Sequence, residues 1–92
     1  MTRIVVRQLI WNEFNLEHIG KHNIKPVEVE EVARNIIAHK RAKQGRYLII
    51  GRSSSRILTV ILNRKSLGVY YPVTARDAAK KERKLIYEKE KK

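Results

Sequence analysis

The chain has 92 residues, 42% of them hydrophobic, with 21 Lys and Arg against 9 Asp and Glu for a formal net charge of +12, and no cysteine. This composition buries one modest core and excludes a disordered chain, a disulfide framework, a thiolate nucleophile and a cysteine-based zinc site. The charge, +4 over residues 1–46 and +8 over residues 47–92, attracts polyanions, of which nucleic acid is the commonest in a cell.

Residues 3–10 alternate loosely, which predicts a first strand. At Trp11 the period changes, and Leu16, Ile19 and Asn23 recur at helical spacing behind Asn12, a favoured N-cap residue. A helix over about 12–22 is expected. Asn23 can adopt the left-handed conformation that ends it, and Pro26 suits the first turn of a second helix, with Val29, Val32, Ala33 and Ile36 on one face and Glu28, Glu30 and Glu31 at its start. That helix should run to about residue 35.

From Ile36 onward β-branched and aromatic residues dominate. Segments 36–41, 46–52, 56–63 and 68–74 are separated by short polar or glycine-containing stretches and read as an antiparallel meander. The nearly unbroken apolar runs at 48–50 and 57–62 predict central strands covered on both faces. Pro72 cannot donate a ladder bond, so it belongs to an edge strand or a bulge. Thr74 with Asp77 three residues on has the look of a helix cap, leading into a C-terminal helix to about residue 88 with a frayed Lys-rich end. The expected architecture is α+β: an antiparallel sheet of four or five strands, two helices near the N-terminus and one at the C-terminus, in a single domain over 1–92. No run of about eighteen apolar residues could span a bilayer and the start lacks a signal-like stretch, so a cytoplasmic protein is expected.

His18 and His22 are four residues apart, a spacing that puts both rings on one helix face. Only His39 could join them as a third histidine and there is no cysteine, so a metal site is not expected. A histidine in a basic cleft is a natural proton carrier for RNA cleavage, and His22 is the candidate base. Arg52, Arg56 and Arg64 fall at strand ends or in turns, and Arg76 stands where the last strand meets the last helix. Guanidinium groups suit bidentate phosphate contact. Arg76 is the sharpest of these candidates, with an ion pair to Glu82 or Glu17 as the alternative. Tyr47, Tyr70, Tyr71 and Tyr87 could stack on bases or pack in the sheet, while Lys80 and Arg83 add to the basic field of the last helix.

Three stretches in this order resemble one family. Residues 11–24 (WNEFNLEHIGKHNI), 46–51 (RYLIIG) and 74–83 (TARDAAKKER) are similar to the aromatic-acid opening with its Lys-His-Gly turn, the Arg-aromatic-aliphatic-Gly strand, and the closing Ala-Arg segment and Glu-Arg helix of BrnT-type toxins. The resemblance spans residues 11–87. Asn12 stands where the family has Asp, and Asn23 where it has Gly. The resemblance implies a RelE-like fold, ribosome-independent RNA cleavage without a metal or other cofactor, and neutralisation by a small DNA-binding antitoxin. Within it His22 is expected to act as base, Arg76 and Arg52 to stabilise the phosphate, His18 or a tyrosine to act as acid, and Arg56, Arg64, Lys80, Arg83 and Tyr47 to contact RNA. A non-catalytic nucleic-acid-binding module and a protein-interaction domain remain the alternatives, and self-association stays open.

Overall fold

Local capping sets where the chain changes direction in the computed structural model, which describes residues 4–91. In chain order it holds β1 (Gln8–Leu9), α1 (Glu13–Gly20), α2 (Pro26–Arg34), β2 (Ile36–Arg41), β3 (Arg46–Ser53), β4 (Arg56–Ser66), β5 (Val69–Asp77) and α3 (Lys80–Glu90). The Asn15 amide donates to the Asn12 side chain at 3.1 Å and the Asn12 amide to the Asn15 side chain at 2.9 Å, a reciprocal cap that opens α1. Buried Asn15 also donates its side-chain amide to the Ile10 carbonyl at 2.8 Å, tying the helix to the incoming chain. Asn23 is left-handed (φ 58°), as its type allows, and Pro26 occupies the first turn of α2. Because α1 stops at Gly20, His22 lies in the following turn and does not share a helix face with His18.

The strands form one sheet in the order β1-β5-β4-β3-β2. β2 to β5 make the expected antiparallel meander, but the sheet as a whole is mixed: β1 runs parallel to β5, pairing Gln8 with Val69 and Leu9 with Tyr70. The expected first strand is thereby cut to two residues, and Arg3 lies outside the described residues. The pairing is held by the Arg7 and Gln8 amides, which both donate to the Gly68 carbonyl, and by the Ile10 amide, which donates to that of Tyr70. Side-chain alternation reports which face a residue meets, not the direction of its neighbour.

Of the two readings for Pro72, the bulge is the one realised. The register of β4 against β5 shifts between Ile61 and Leu62, so that Leu62 faces Pro72 while Ile61 faces Thr74. The expected cap at Thr74 does not form. Residues 74–77 stay in β5, paired with Leu58 to Ile61, because four ladder positions outweigh one side-chain cap. Glu82 caps α3 instead, its carboxylate accepting from the Ala79 amide at 2.7 Å.

Both faces of the sheet are covered, as the apolar runs require. On one, Leu58, Val60, Leu62 and Ile49 pack with Ile19, Val29 and Val32 of α1 and α2; on the other, Leu48, Ile50 and Ile57 pack with Ala78 and with Ile86 of α3. Trp11 packs against the first core and its Nε1 donates to Glu30 at 3.0 Å. Gly51 is where α2 comes closest to the sheet: a Cβ there would lie 2.7 Å from the Asn35 carbonyl oxygen and 3.2 Å from Val32 Cγ1. Gly51→Ala is therefore expected to push the end of α2 off β3 and cost about 1–3 kcal/mol, measured as a lower urea midpoint. A wild-type midpoint would show that the sheet absorbs the methyl group freely.

Candidate active site

The start of β4, the end of β5, the turn between α1 and α2 and the start of α2 meet at one end of the sheet, and Arg56 joins all four. Its Nε donates to Asp77 at 2.9 Å, Nη1 to Glu28 at 3.1 Å and to the Asn23 carbonyl at 2.8 Å, and Nη2 to the His22 carbonyl and to Asp77, both at 3.3 Å. Since these carbonyls belong to the turn that carries His22, Arg56 fixes where that imidazole is presented. Its ring is exposed. The Arg56 guanidinium holds the Asp77 carboxyl below the usual carboxylate range against the effect of its partial burial, with the charges of Arg83 and His22 adding to the same shift. This end therefore presents a histidine, the two carboxylates Glu28 and Asp77, and the two arginines Arg56 and Arg83. The set can take a proton, stabilise the imidazolium so formed, and face a phosphate.

Arg76 points to the opposite face. Its Nη1 and Nη2 donate to the two Glu82 oxygens at 2.8 and 3.0 Å, and the buried Thr59 hydroxyl donates to the same carboxylate at 2.9 Å. Burial alone would raise the Glu82 carboxyl. The bonds from Arg76, the Ala79 amide and Thr59 outweigh it and lower the carboxyl to about 2. Of the two sequence readings for Arg76, the ion pair with Glu82 is the one the structure displays.

Arg52 is also on the α3 face, donating from Nε to Glu90 at 2.6 Å, with its guanidinium carbon 6.0 Å from the centre of the Tyr87 ring. His18 is exposed in the last turn of α1, and Lys80 and Arg83 stand in the first turn of α3, where Arg83 donates to the Ala78 carbonyl at 2.7 Å. Arg64 and Tyr47 lie at the far end of the sheet. The structure thus gathers His22, Arg56 and Arg83 and keeps Arg76, Arg52, Arg64 and Tyr47 apart from them. Asp77, Glu28 and Thr59 escaped sequence reasoning as site residues: Asp77 was assigned to a cap, Glu28 to the start of a helix, and Thr59 is hidden in an apolar run. Among the described residues, no three His, Cys, Asp or Glu side chains gather into a metal-holding group, and no helix is long and apolar enough to cross a membrane.

A mixed five-stranded sheet with two helices on one face, one on the other and a histidine-bearing end makes up a small α+β domain. The structure is similar to the crystal structure of the Brucella abortus ribonuclease toxin BrnT, with a TM-score of 0.63 and 19% identity over 79% of this chain and 97% of that one. At that identity the likeness establishes the fold. No family model matches the chain, and no curated protein matches it by sequence.

Proposed function

We propose that this protein is the toxin of a toxin–antitoxin pair, a cytoplasmic endoribonuclease that cuts RNA with side chains alone. The observation that carries the reading is the meeting of the His22 turn, Arg56 and Asp77 at one end of a fold shared with a ribonuclease toxin. His22 takes the proton of a 2′-hydroxyl, and the 2′-oxygen attacks the adjacent phosphorus. The 5′-oxygen leaves with a proton from His18 or a tyrosine, which yields a 2′,3′-cyclic phosphate and a 5′-hydroxyl. Asp77 stabilises the imidazolium, and Arg83 with Arg56 supplies positive charge beside the phosphate.

Incubating the pure protein with total RNA at low salt in the presence of EDTA is expected to give fragments ending in 2′,3′-cyclic phosphate. Binding without fragments would replace this reading with a non-catalytic RNA-binding module, a rival favoured by the ion pairs that already occupy Arg52, Arg56 and Arg76. No binding at about 50 mM salt, where counterion release favours it, would point to a domain that only holds an acidic protein. The antitoxin in this reading is a small DNA-binding protein whose acidic or amphipathic segment covers the RNA face, so that complex formation blocks RNA binding.

A further inference from the structure

The charges of this chain are segregated along its length. Residues 32–76 contain ten Lys and Arg and no Asp or Glu. Every carboxylate that meets an arginine of this stretch comes from outside it, from α2, the last residue of β5 or α3. These carboxylates serve Arg52, Arg56 and Arg76, which lie at the Asp77 end of β5 or on the α3 face. At the other end of the sheet, where β2 ends, β3 begins and β4 ends, Lys40, Arg41 and Arg64 pair with no carboxylate among the described residues.

At that end an open depression of about 450 Å³ is lined by Ile4, His39, Lys40, Arg41, Tyr47 and Arg64. Three strands contribute to it. The register sets Arg41 against Tyr47 across β2 and β3, and Tyr47 against Leu62, two residues before Arg64, across β3 and β4. The Arg41 guanidinium carbon is 5.9 Å from the centre of the Tyr47 ring, and Tyr70 meets that ring edge-on at 6.0 Å. The aromatic wall is thus held in place, with Lys40, Arg41 and Arg64 exposed around it. Lys40, Arg41 and Arg64, paired with no carboxylate among the described residues, beside an ordered aromatic ring are the combination that single-stranded nucleic acid meets in its binding grooves: charge for the backbone and a ring for a base.

We infer that the depression around Tyr47 is a second RNA-binding subsite, in which Lys40, Arg41 and Arg64 hold the phosphates of a single strand whose other part lies at the His22 end. This rests on the ribonuclease reading above. Along β4, Arg56 and Arg64 are eight residues apart, about 26 Å at the rise of a strand. A stacked strand at about 3.4 Å per nucleotide covers that span with about eight nucleotides. The subsite therefore adds to the binding of single strands long enough to reach it and not to that of shorter ones.

The test uses a fluorescent 2′-O-methyl RNA of about sixteen nucleotides, which spans both ends and lacks the nucleophilic hydroxyl, so binding is read apart from cleavage. Against wild type stand the double variants R41Q/R64Q and, as a control of equal charge change, K84Q/K89Q on the exposed side of α3. R41Q/R64Q is expected to bind about 10- to 100-fold more weakly at about 50 mM salt, and its plot of log affinity against log salt should be shallower by about 1.4. The control should stay within about threefold of wild type. Unchanged affinity in R41Q/R64Q, or an equal loss in the control, would overturn the subsite while leaving the ribonuclease reading in place. If wild type bound no RNA at all, both would fall.

Discussion

Replacing His22 by alanine is expected to slow single-turnover cleavage of a short RNA by about 10²-fold while leaving the fold intact. The two halves of that expectation have separate physical origins. The imidazole is exposed, so its removal opens no cavity, and Arg56 bonds to the His22 carbonyl, which alanine retains. The turn should therefore keep its place while losing its proton acceptor. Arg56→Ala would strip the turn of two bonds and leave Glu28 and Asp77 without their guanidinium partner, so it cannot separate architecture from chemistry. Circular dichroism and a urea midpoint equal to wild type would confirm the first half for His22→Ala. A folded variant that cuts at the wild-type rate would remove His22 from the chemistry and leave Arg52, Arg56 and Arg64 as the next residues to examine.

Arg76→Ala is expected to cost about 2–3 kcal/mol of stability at neutral pH. Glu82 has only 18% of its side-chain surface exposed, and without Arg76 it keeps a charge in a half-enclosed site with only Thr59 and the Ala79 amide to bond it. The pH dependence follows from the lowered carboxyl. Its value of about 2 in the folded chain, against an ordinary 4.5, corresponds to about 3 kcal/mol, reduced somewhat because Arg76 is itself partly exposed. A depressed carboxylate contributes in full above its unfolded value and loses that contribution as pH falls through the folded one. The stability gap between wild type and Glu82→Gln should therefore be constant above about pH 5 and narrow steadily below it, in urea titrations at stepped pH. A gap independent of pH would mean that the pair is not what stabilises the joint between β5 and α3. If Arg76→Ala, kept folded at low temperature, also lost about 10²-fold in cleavage with little loss of binding, Arg76 would act on phosphate as well as on Glu82.

Features written in neighbouring residues were legible in the sequence. Asn12 caps α1, Pro26 opens α2, and the change to β-branched residues at Ile36 coincides with the first residue of β2. Features that depend on distant partners were not. Thr74 and Asp77 mimic a cap, but pairing with β4 keeps them extended, and the bond that does cap α3 comes from Glu82. The parallel setting of β1 rests on carbonyls of Gly68 and Tyr70, some sixty residues away, and leaves no mark on side-chain pattern. The candidate site divides in the same way. His22 was identifiable from its residue type and its turn, whereas the pairing of Arg56 with Asp77 and Glu28, 21 and 28 residues distant, depends on the closed sheet. The guanidinium groups singled out for phosphate prove in three cases to be joints between elements.

The way α3 is attached has a dynamic consequence. Ile86 is its one fully buried side chain, and its remaining ties to the sheet are polar: Glu82 to Arg76 and Thr59, and Glu90 to Arg52. An element with so little apolar burial opens at a lower free energy than the strands beneath it. Salt screens the exposed Glu90 bond first, so the far end of the helix is where opening begins. What a detaching α3 uncovers in full is the apolar floor of Ala38, Leu48 and Ile50, which with the helix in place borders only a cavity of about 190 Å³ beside Lys81, Glu82 and Leu85.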